Sequence, residues 1–439
     1  MGSARRAALT ALEKCRRADA WSDAVLGSVC DREGLDGRDR GLAAALCYGV
    51  LQNRLLLDAA VARHSTLSLG RVEPKVLDIL RISAYQLLFL ERIPASAAVN
   101  EGVALCRALG YSRAAGYVNA VLRALAAAPV LPGAEGETRQ RLSLRYSHPL
   151  WLVDLLLERL GPQEAEAFLE CDNRPVPAAL QVNTLRTTAG ALLEALAREE
   201  IPARAHPVLP DCVLAEDAGR LLQSAPFRDG WFYVQDPAAK FAVLAAQPRP
   251  GQRILDVCAA PGGKSFAAAV ACSGAAEILA CDKYPNKLRR IREGAARLGL
   301  SGIRTQAADA AAERPEGDGD FDLVLVDVPC SGLGVIRKKP DIRYKDPSAF
   351  AALPGLQGRI LENAARSVRP GGTLLYSTCT VRSQENEDVV RAFLLRNPGF
   401  SPVDFQSPWG TRSREGMLQL WPQRQDTDGF FIARMRNGS

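Results

Sequence analysis

The chain has 439 residues, 47% of them hydrophobic and 24% charged, with a formal net charge of +6; this composition excludes a disordered or fibrous protein and suggests about three folding units at roughly 150 residues each. Its eleven cysteines include no C-x-x-C pair and its histidines, His64, His148 and His206, stand far apart, which argues against a disulfide framework and against any metal site. Only six residues separate Arg6 from Glu13, and no later segment approaches 18 uncharged apolar residues, so neither a signal peptide nor a membrane span is expected and the expected location is the cytoplasm.

From Ala4 to about Ala127 apolar residues recur at spacings of three and four, as in Val76, Leu77, Leu80, Tyr85, Leu88 and Phe89, the period of helices with one buried face. Breaks at Gly34 to Gly37, around Ser65 to Gly70, at Pro94 and at Gly110 divide this stretch into five or six helices, an all-α bundle over residues 1–130. Those residues hold 17 Lys and Arg against 12 Asp and Glu, five of the six net positive charges; the bias belongs either to a solvated helical surface or to a face that meets nucleic acid. Pro129 to Glu137 combines proline, glycine and acids and reads as a linker. Next, strand-like Ala179 to Val182 and Trp231 to Val234 flank a helical Ala189 to Arg198, a small α+β module over residues 140–240. From Gln252 onward the short β-rich runs Ile254-Leu255, Ile278-Leu279, Leu323 to Val326 and Thr373 to Tyr376 alternate with helical stretches, which predicts a parallel, doubly wound α/β domain over residues 241–439.

The run Ile254 to Ser265 (ILDVCAAPGGKS) is a buried strand, a glycine turn and a helix start, a geometry that brings backbone close to a ligand. It is not a phosphate-binding P-loop, because Cys258 stands where the first glycine is required. Nor is it the dinucleotide fingerprint, because Gly262 and Gly263 are adjacent and no third glycine follows. A different nucleoside ligand is indicated. Asp282, 20 residues after Gly262, either holds ribose hydroxyls or caps the helix that begins near Pro285. Asp309 is likewise either a cap or an adenine contact. Two further strands end in cysteines, at Asp327-Val328-Pro329-Cys330 and Ser377-Thr378-Cys379, and ligands of open α/β sheets bind at such carboxyl ends.

The segments Cys258 to Lys264 (CAAPGGK), Asp327 to Gly332 (DVPCSG) and Ser377-Thr378-Cys379 resemble the motifs of RNA 5-methylcytosine methyltransferases of the Nol/Nop/Sun group. The helical amino-terminal part resembles a NusB-type domain, most clearly at Val99 to Val103 (VNEGV) and Val118 to Arg123 (VNAVLR), and the pairing resembles the bacterial RsmB (Sun) branch. Tyr146 to Pro149 and Val234 to Asp236 extend the likeness over nearly the whole chain. Val328 departs from the commoner alanine, and Gln425 stands before Asp426 to Phe431 where a basic residue is expected.

The resemblance implies a multidomain protein: an all-α NusB-like bundle, a small α+β RNA-binding module and a carboxy-terminal α/β Rossmann-like methyltransferase. It implies S-adenosylmethionine as cofactor and small-subunit ribosomal RNA, naked or partly assembled, as partner; a monomer without membrane attachment is expected. Carbon 5 of cytosine is a weak nucleophile until a thiolate adds at carbon 6, so a cysteine splits one difficult step into easier ones. By the resemblance Cys379 is that nucleophile, Cys330 assists product release, and Asp327 sits against the cytosine or the methionine end. Cys258, Ala259, Ala260, Pro261, Gly262, Gly263, Lys264, Asp282, Asp309 and Asp327 line the cofactor site, where acids suit a cationic sulfonium. A target base has to leave its stack to reach such a site. Arg337-Lys338-Lys339 is either a phosphate grip or a solvated basic loop, and Arg343 and Tyr344 are expected to orient RNA. The competing reading, an assembly or antitermination factor with an inactive methyltransferase domain, is opposed by the intact pair Cys330 and Cys379.

Overall fold

The computed structural model describes residues 4–18, 22–131, 136–216, 218–313 and 321–438. It divides into two compact units, the first formed by residues 1–174 with 336–347 and the second by residues 175–335 with 348–439. The linker expected over Pro129 to Glu137 falls within the first unit, and its residues 132–135 lie outside the described ones.

In the first unit the described residues form α1 (Ala4–Ala18), α2 (Ser22–Glu33), α3 (Gly37–His64), α4 (Pro74–Phe89), α5 (Ala95–Ala108) and α6 (Ala115–Ala127), followed by α7 (Thr138–Tyr146), α8 (Leu150–Leu160) and α9 (Pro162–Cys171). Local chemistry fixes the starts: Asp36 accepts the Asp39 N–H ahead of α3, and Glu73 accepts from Lys75 and Val76 ahead of α4, where Pro74 occupies the first turn. Helix α4 is buried almost all round, as a helix packed on several neighbours must be. Its buried Arg81 is paired with both oxygens of Asp58 at 2.7 and 2.8 Å and with Asp78 at 2.8 Å, which offsets the cost of removing the charge from water. A Cβ at Gly49 would stand 2.1 Å from the Tyr85 ring, so glycine is what lets α3 and α4 approach.

Helix α3 bends at Asn53, whose φ of −112° and ψ of 18° are not helical. The Asn53 amide donates back to Gly49 O at 2.9 Å, while the Leu55 N–H is taken by Ser147 Oγ at 2.8 Å. Beside this bend lies the turn Pro340–Tyr344, where Arg343, with no exposed surface, donates to the carbonyls of Gln52 and Ser147 and to Asn173 Oδ1. The expectation that Arg343 orients RNA is therefore corrected: its guanidinium ties backbone together inside the first unit. Tyr344 is half-buried, with its hydroxyl on Ser147 O.

The second unit contains two sheets. In the smaller, β1 (Ala178–Val182), β2 (Ala203–Ala205), β3 (Cys212–Ala215) and β4 (Phe232–Val234) pair antiparallel in the order β2-β3-β1-β4. Leu180, Val182, Val213 and Phe232 pack there against Leu192 and Leu196 of the helix Ala189–Arg198, the expected α+β arrangement.

The larger sheet holds β5 (Arg253–Asp256), β6 (Glu277–Asp282), β7 (Ile303–Ala307), β8 (Phe321–Asp327), β9 (Val368–Thr378), β10 (Phe400–Pro402), β11 (Met417–Leu420) and β12 (Phe430–Asn437). Its order is β10-β12-β9-β8-β5-β6-β7, with β11 on β12. Strands β5 to β9 pair parallel, as expected, but β10, β11 and β12 pair antiparallel, so the sheet is mixed. Residues 421–429, between β11 and β12, are too few for the crossover of a dozen or more that a parallel pair needs. Strand order reverses between β5 and β8, and the carboxyl ends of those two strands make the crevice where open α/β sheets bind ligands. Among the described residues no helix is long and apolar enough to cross a membrane, and no group of three His, Cys, Asp or Glu side chains is arranged to hold a metal ion.

Candidate active site

The site grows from the end of β5. Asp256 is buried there, and the chain turns through Gly262 into the helix Gly263–Ala271. Gly262 has a φ of +114°, and a Cβ on it would lie 2.5 Å from the Phe266 ring, so the turn requires glycine twice over. The Ala259 N–H donates to Cys281 O at 2.7 Å and fastens the turn to the end of β6. Ser265 Oγ donates to Asp256 Oδ2 at 2.7 Å, whereas Asp256 Oδ1 has no donor. Burial, opposed by Ser265 and Lys264, pushes the Asp256 carboxyl up to about 7. Burial and then the charges of Asp256, Asp327 and Asp282 hold the Cys258 thiol well above its ordinary value, so it stays protonated and unreactive.

At the end of β8, Asp327 is gripped from two sides: Lys264 Nζ lies 2.7 Å from its Oδ2, and Ser377 Oγ donates to its Oδ1 at 2.8 Å. Burial works against the Lys264 ammonium, but Asp327, Asp256 and Cys379 outweigh it and raise its pKa. Cys330 Sγ stands 3.3 Å from Cys379 Sγ, both thiols being free. The hydrogen bond with Cys379, then burial, then the nearby charges of Cys379 and Glu385 hold the Cys330 thiol well above its usual range.

A fully buried carboxylate organises the loop that carries Cys330. Glu385 Oε2 accepts the Ser331 N–H at 2.8 Å and Gln357 Nε2 at 3.0 Å, and Gln357 also holds Pro329 O at 2.9 Å. Arg382 pairs with the other oxygen at 3.0 Å. In the sequence Glu385 is one acid in the polar run SQENED, which gives no sign of burial. Gly334 N–H donates to Cys379 O at 2.9 Å, so the loop after Cys330 is tied to the strand end that bears Cys379.

A pocket of about 330 Å³ brings together Cys258, Ala259, Ala260, Pro261, Gly263, Lys264 and Asp327 from the expected set, with Gln235, Asp256 and Arg297 added to them. Gly262 supports it from the turn. Asp282 and Asp309 are not in its lining; they stand at the carboxyl ends of β6 and β7. Asp282 Oδ1 accepts the Tyr284 N–H at 3.0 Å, and Tyr284, not Asp282, occupies the cap position of the helix Pro285–Leu298. Asp309 accepts the Ala311 N–H and pairs with Lys283 at 2.8 Å, and the hydrogen bond from Lys283 keeps its carboxyl below the ordinary range. Gln235 and Asp256 were not singled out as ligands by sequence, although both stand within recognised strings; each has a buried oxygen without a donor, Oε1 and Oδ1 respectively. Two open acceptors and two acids suit a ligand that carries an ammonium and a sulfonium, so the pocket fits S-adenosylmethionine.

Residues 2–127 match the NusB family, residues 148–221 the ferredoxin-like domain of RsmF/B-like methyltransferases, and residues 243–436 the 16S rRNA methyltransferase RsmB/F family. The chain is 37% identical over 449 residues to a probable ribosomal RNA small subunit methyltransferase B of Bacillus subtilis, across 99% of this chain and 98% of that protein. It is 34% identical over 435 residues to the ribosomal RNA small subunit methyltransferase B of Pseudomonas putida, across 98% of each. The crystal structure of PH0851 superposes with a TM-score of 0.83 at 25% identity, over 98% of both chains. With that likeness running the length of each relative, the chain belongs to the 16S rRNA methyltransferase RsmB/F family and is an S-adenosylmethionine-dependent methyltransferase of small-subunit ribosomal RNA.

Proposed function

We propose that the enzyme methylates carbon 5 of one cytosine in small-subunit ribosomal RNA, naked or partly assembled, through a covalent adduct on Cys379. The observation that carries this reading is the 3.3 Å approach of Cys330 Sγ and Cys379 Sγ beside the Lys264–Asp327 pair. S-adenosylmethionine supplies a methyl group activated on a sulfonium. The protein has to make carbon 5 nucleophilic, and a thiolate bonded to carbon 6 does so. The family resemblance makes Cys379 the sulfur that attacks, and Cys330, whose thiol the hydrogen bond with Cys379 and burial hold well above its usual range, is its protonated neighbour. Asp327, fixed between Lys264 and Ser377, presents a carboxylate of constant orientation to the cytosine. Once carbon 5 has taken the methyl group, a base removes its proton, the bonding pair restores the ring double bond and the carbon 6–sulfur bond breaks to free Cys379, a release that Cys330 assists from its contact with the departing sulfur. Cys258 to Lys264 and Asp327 hold the methyl donor in this reading, and Asp282 and Asp309 serve its ribose and adenine from the next two strand ends. Residues 1–130 and the module over 140–240 bind the RNA, and residues 241–439 perform the chemistry.

The test joins product and intermediate. Bisulfite sequencing of small-subunit ribosomal RNA from a deletion strain is expected to lose one 5-methylcytosine. On denaturing gels Cys330→Ala should accumulate a protein–RNA adduct and Cys379→Ala should form none. An adduct with Cys379→Ala and none with Cys330→Ala would exchange the two roles, and normal methylation by Cys379→Ala would end the covalent mechanism.

A further inference from the structure

The first unit holds its own pocket of about 270 Å³, built by α1, α3, α4 and the segment 336–347. Four cations, Arg16, Arg54, Arg81 and Lys345, line it against two acids, Asp78 and Asp341. Arg81 is saturated by Asp58 and Asp78, and Arg16 reaches Asp78 Oδ2 only at 3.4 Å. Arg54 makes no hydrogen bond or ion pair among the described residues; its guanidinium lies 4.8 Å from the centre of the Tyr344 ring. Burial and then the nearby charge of Arg81 lower its pKa, but a guanidinium remains charged and keeps five donors to place. Asp341, 5% exposed, accepts Ser22 Oγ at 2.6 Å with Oδ1, while its Oδ2 is buried without a donor.

The buried carboxylate oxygen without a donor costs free energy, and the half-buried Arg54 guanidinium, which has no acceptor among the described residues, lines the same pocket. An acidic side chain of a protein would satisfy Arg54 but has no donor to offer Asp341 Oδ2. A nucleotide satisfies both groups, with phosphate oxygens for the arginine and a base amino group for the carboxylate. We propose that this pocket binds one nucleotide unit of RNA, its phosphate on Arg54 and Arg16 and an exocyclic amino group on Asp341 Oδ2. The proposal rests on the reading of the protein as an RNA methyltransferase. It is not a property of the NusB-like part alone: Arg16 and Arg54 lie within residues 2–127, but Asp341, eleven residues after Cys330, comes from the segment 336–347. The site is incomplete without both.

Calorimetric titration of the full chain with adenosine, cytidine and uridine 5′-monophosphates, and with inorganic phosphate, tests this. Adenosine and cytidine monophosphate, which offer an amino group, are expected to bind several-fold tighter than uridine monophosphate. Arg54→Gln should weaken every nucleotide at least tenfold, Arg54→Lys should be intermediate, and Asp341→Asn should remove the preference for amino-bearing bases. Thermal melts check that the variants fold, and a misfolded Arg54→Gln leaves Arg54→Lys and Asp341→Asn to decide. Equal nucleotide affinity in wild type and a folded Arg54 variant, or an unchanged base preference in Asp341→Asn, overturns the proposal. So does an acidic peptide that displaces adenosine monophosphate and itself depends on Arg54. Methyl transfer to ribosomal RNA by the wild type, measured separately, tells failure of this site from failure of the enzymatic reading.

Discussion

Asp256 is a carboxyl whose ionisation its surroundings oppose, and the pH dependence of stability should report it. Its pKa rises from 3.8 to about 7, first through burial, with Ser265 and Lys264 opposing. The folded chain then binds a proton that the unfolded chain has released, so stability falls as pH rises from about 4 to about 7. At about 1.4 kcal/mol per unit the whole effect is about 4 kcal/mol. Asp256→Asn should flatten the fall, and parallel melting of variant and wild type across that window would refute it. The sequence is informative at this scale where a function is written as a string: the glycine turn and the two cysteines stand as short runs at strand ends. It is silent where partners are brought together by topology. Lys264 meets Asp327 only because β5 and β8 are neighbours in the sheet, and Glu385 is buried only because it ties Ser331 and Gln357 into one loop. Arg343 was misread for the same reason, since a basic residue soon after Cys330 looks like an RNA contact until α3 bends beside it.

At the scale of elements, the turn between β5 and its helix has no tolerance for a side chain. Gly262→Ala puts a Cβ at a φ of +114° and 2.5 Å from the Phe266 ring, a strain of about 1–3 kcal/mol. The expected result is a lower melting point with at least tenfold weaker S-adenosylmethionine binding by calorimetry; unchanged affinity in the folded variant would show that turn geometry does not hold the donor. Glycine and proline also governed which elements could be read from the chain. The helix breaks at Gly34, Pro94 and Gly110 are local events, and all three appear where expected. Strand β9 is longer than its readable core Thr373 to Tyr376, because Arg369-Pro370-Gly371-Gly372 looks like a turn. The sheet absorbs it through the register irregularity between Phe321 and Leu323, with Gly371 at a φ of +73°. The antiparallel edge was missed because an apolar run does not state its direction, which here follows from the length of the connection.

At the scale of the molecule, the chain crosses between its units more often than a simple series of domains would require. It leaves the second unit after Val335, contributes Ile336 to Pro347 to the first, and returns at Ser348. In the whole chain Ile336, Ile342 and Arg343 of that segment are at most 1% exposed. Burying two isoleucines is worth about 3–6 kcal/mol at the usual gain per side chain, and the carbonyls that receive Arg343 belong to residues before Arg174. An isolated chain of residues 175–439 would keep the segment and lose the carbonyls that hold Arg343 and the helix α3 that packs on the turn Pro340–Tyr344. Such a fragment is expected to associate in sedimentation velocity and to melt below the corresponding transition of the full protein. Replacing residues 336–347 in it by twelve glycines and serines should restore a monodisperse species, because the exposed isoleucines and the unpartnered guanidinium are then gone. If the fragment with its own 336–347 sediments and melts as the glycine–serine version does, the segment's burial in the first unit contributes nothing, and the two units are separable in the ordinary way.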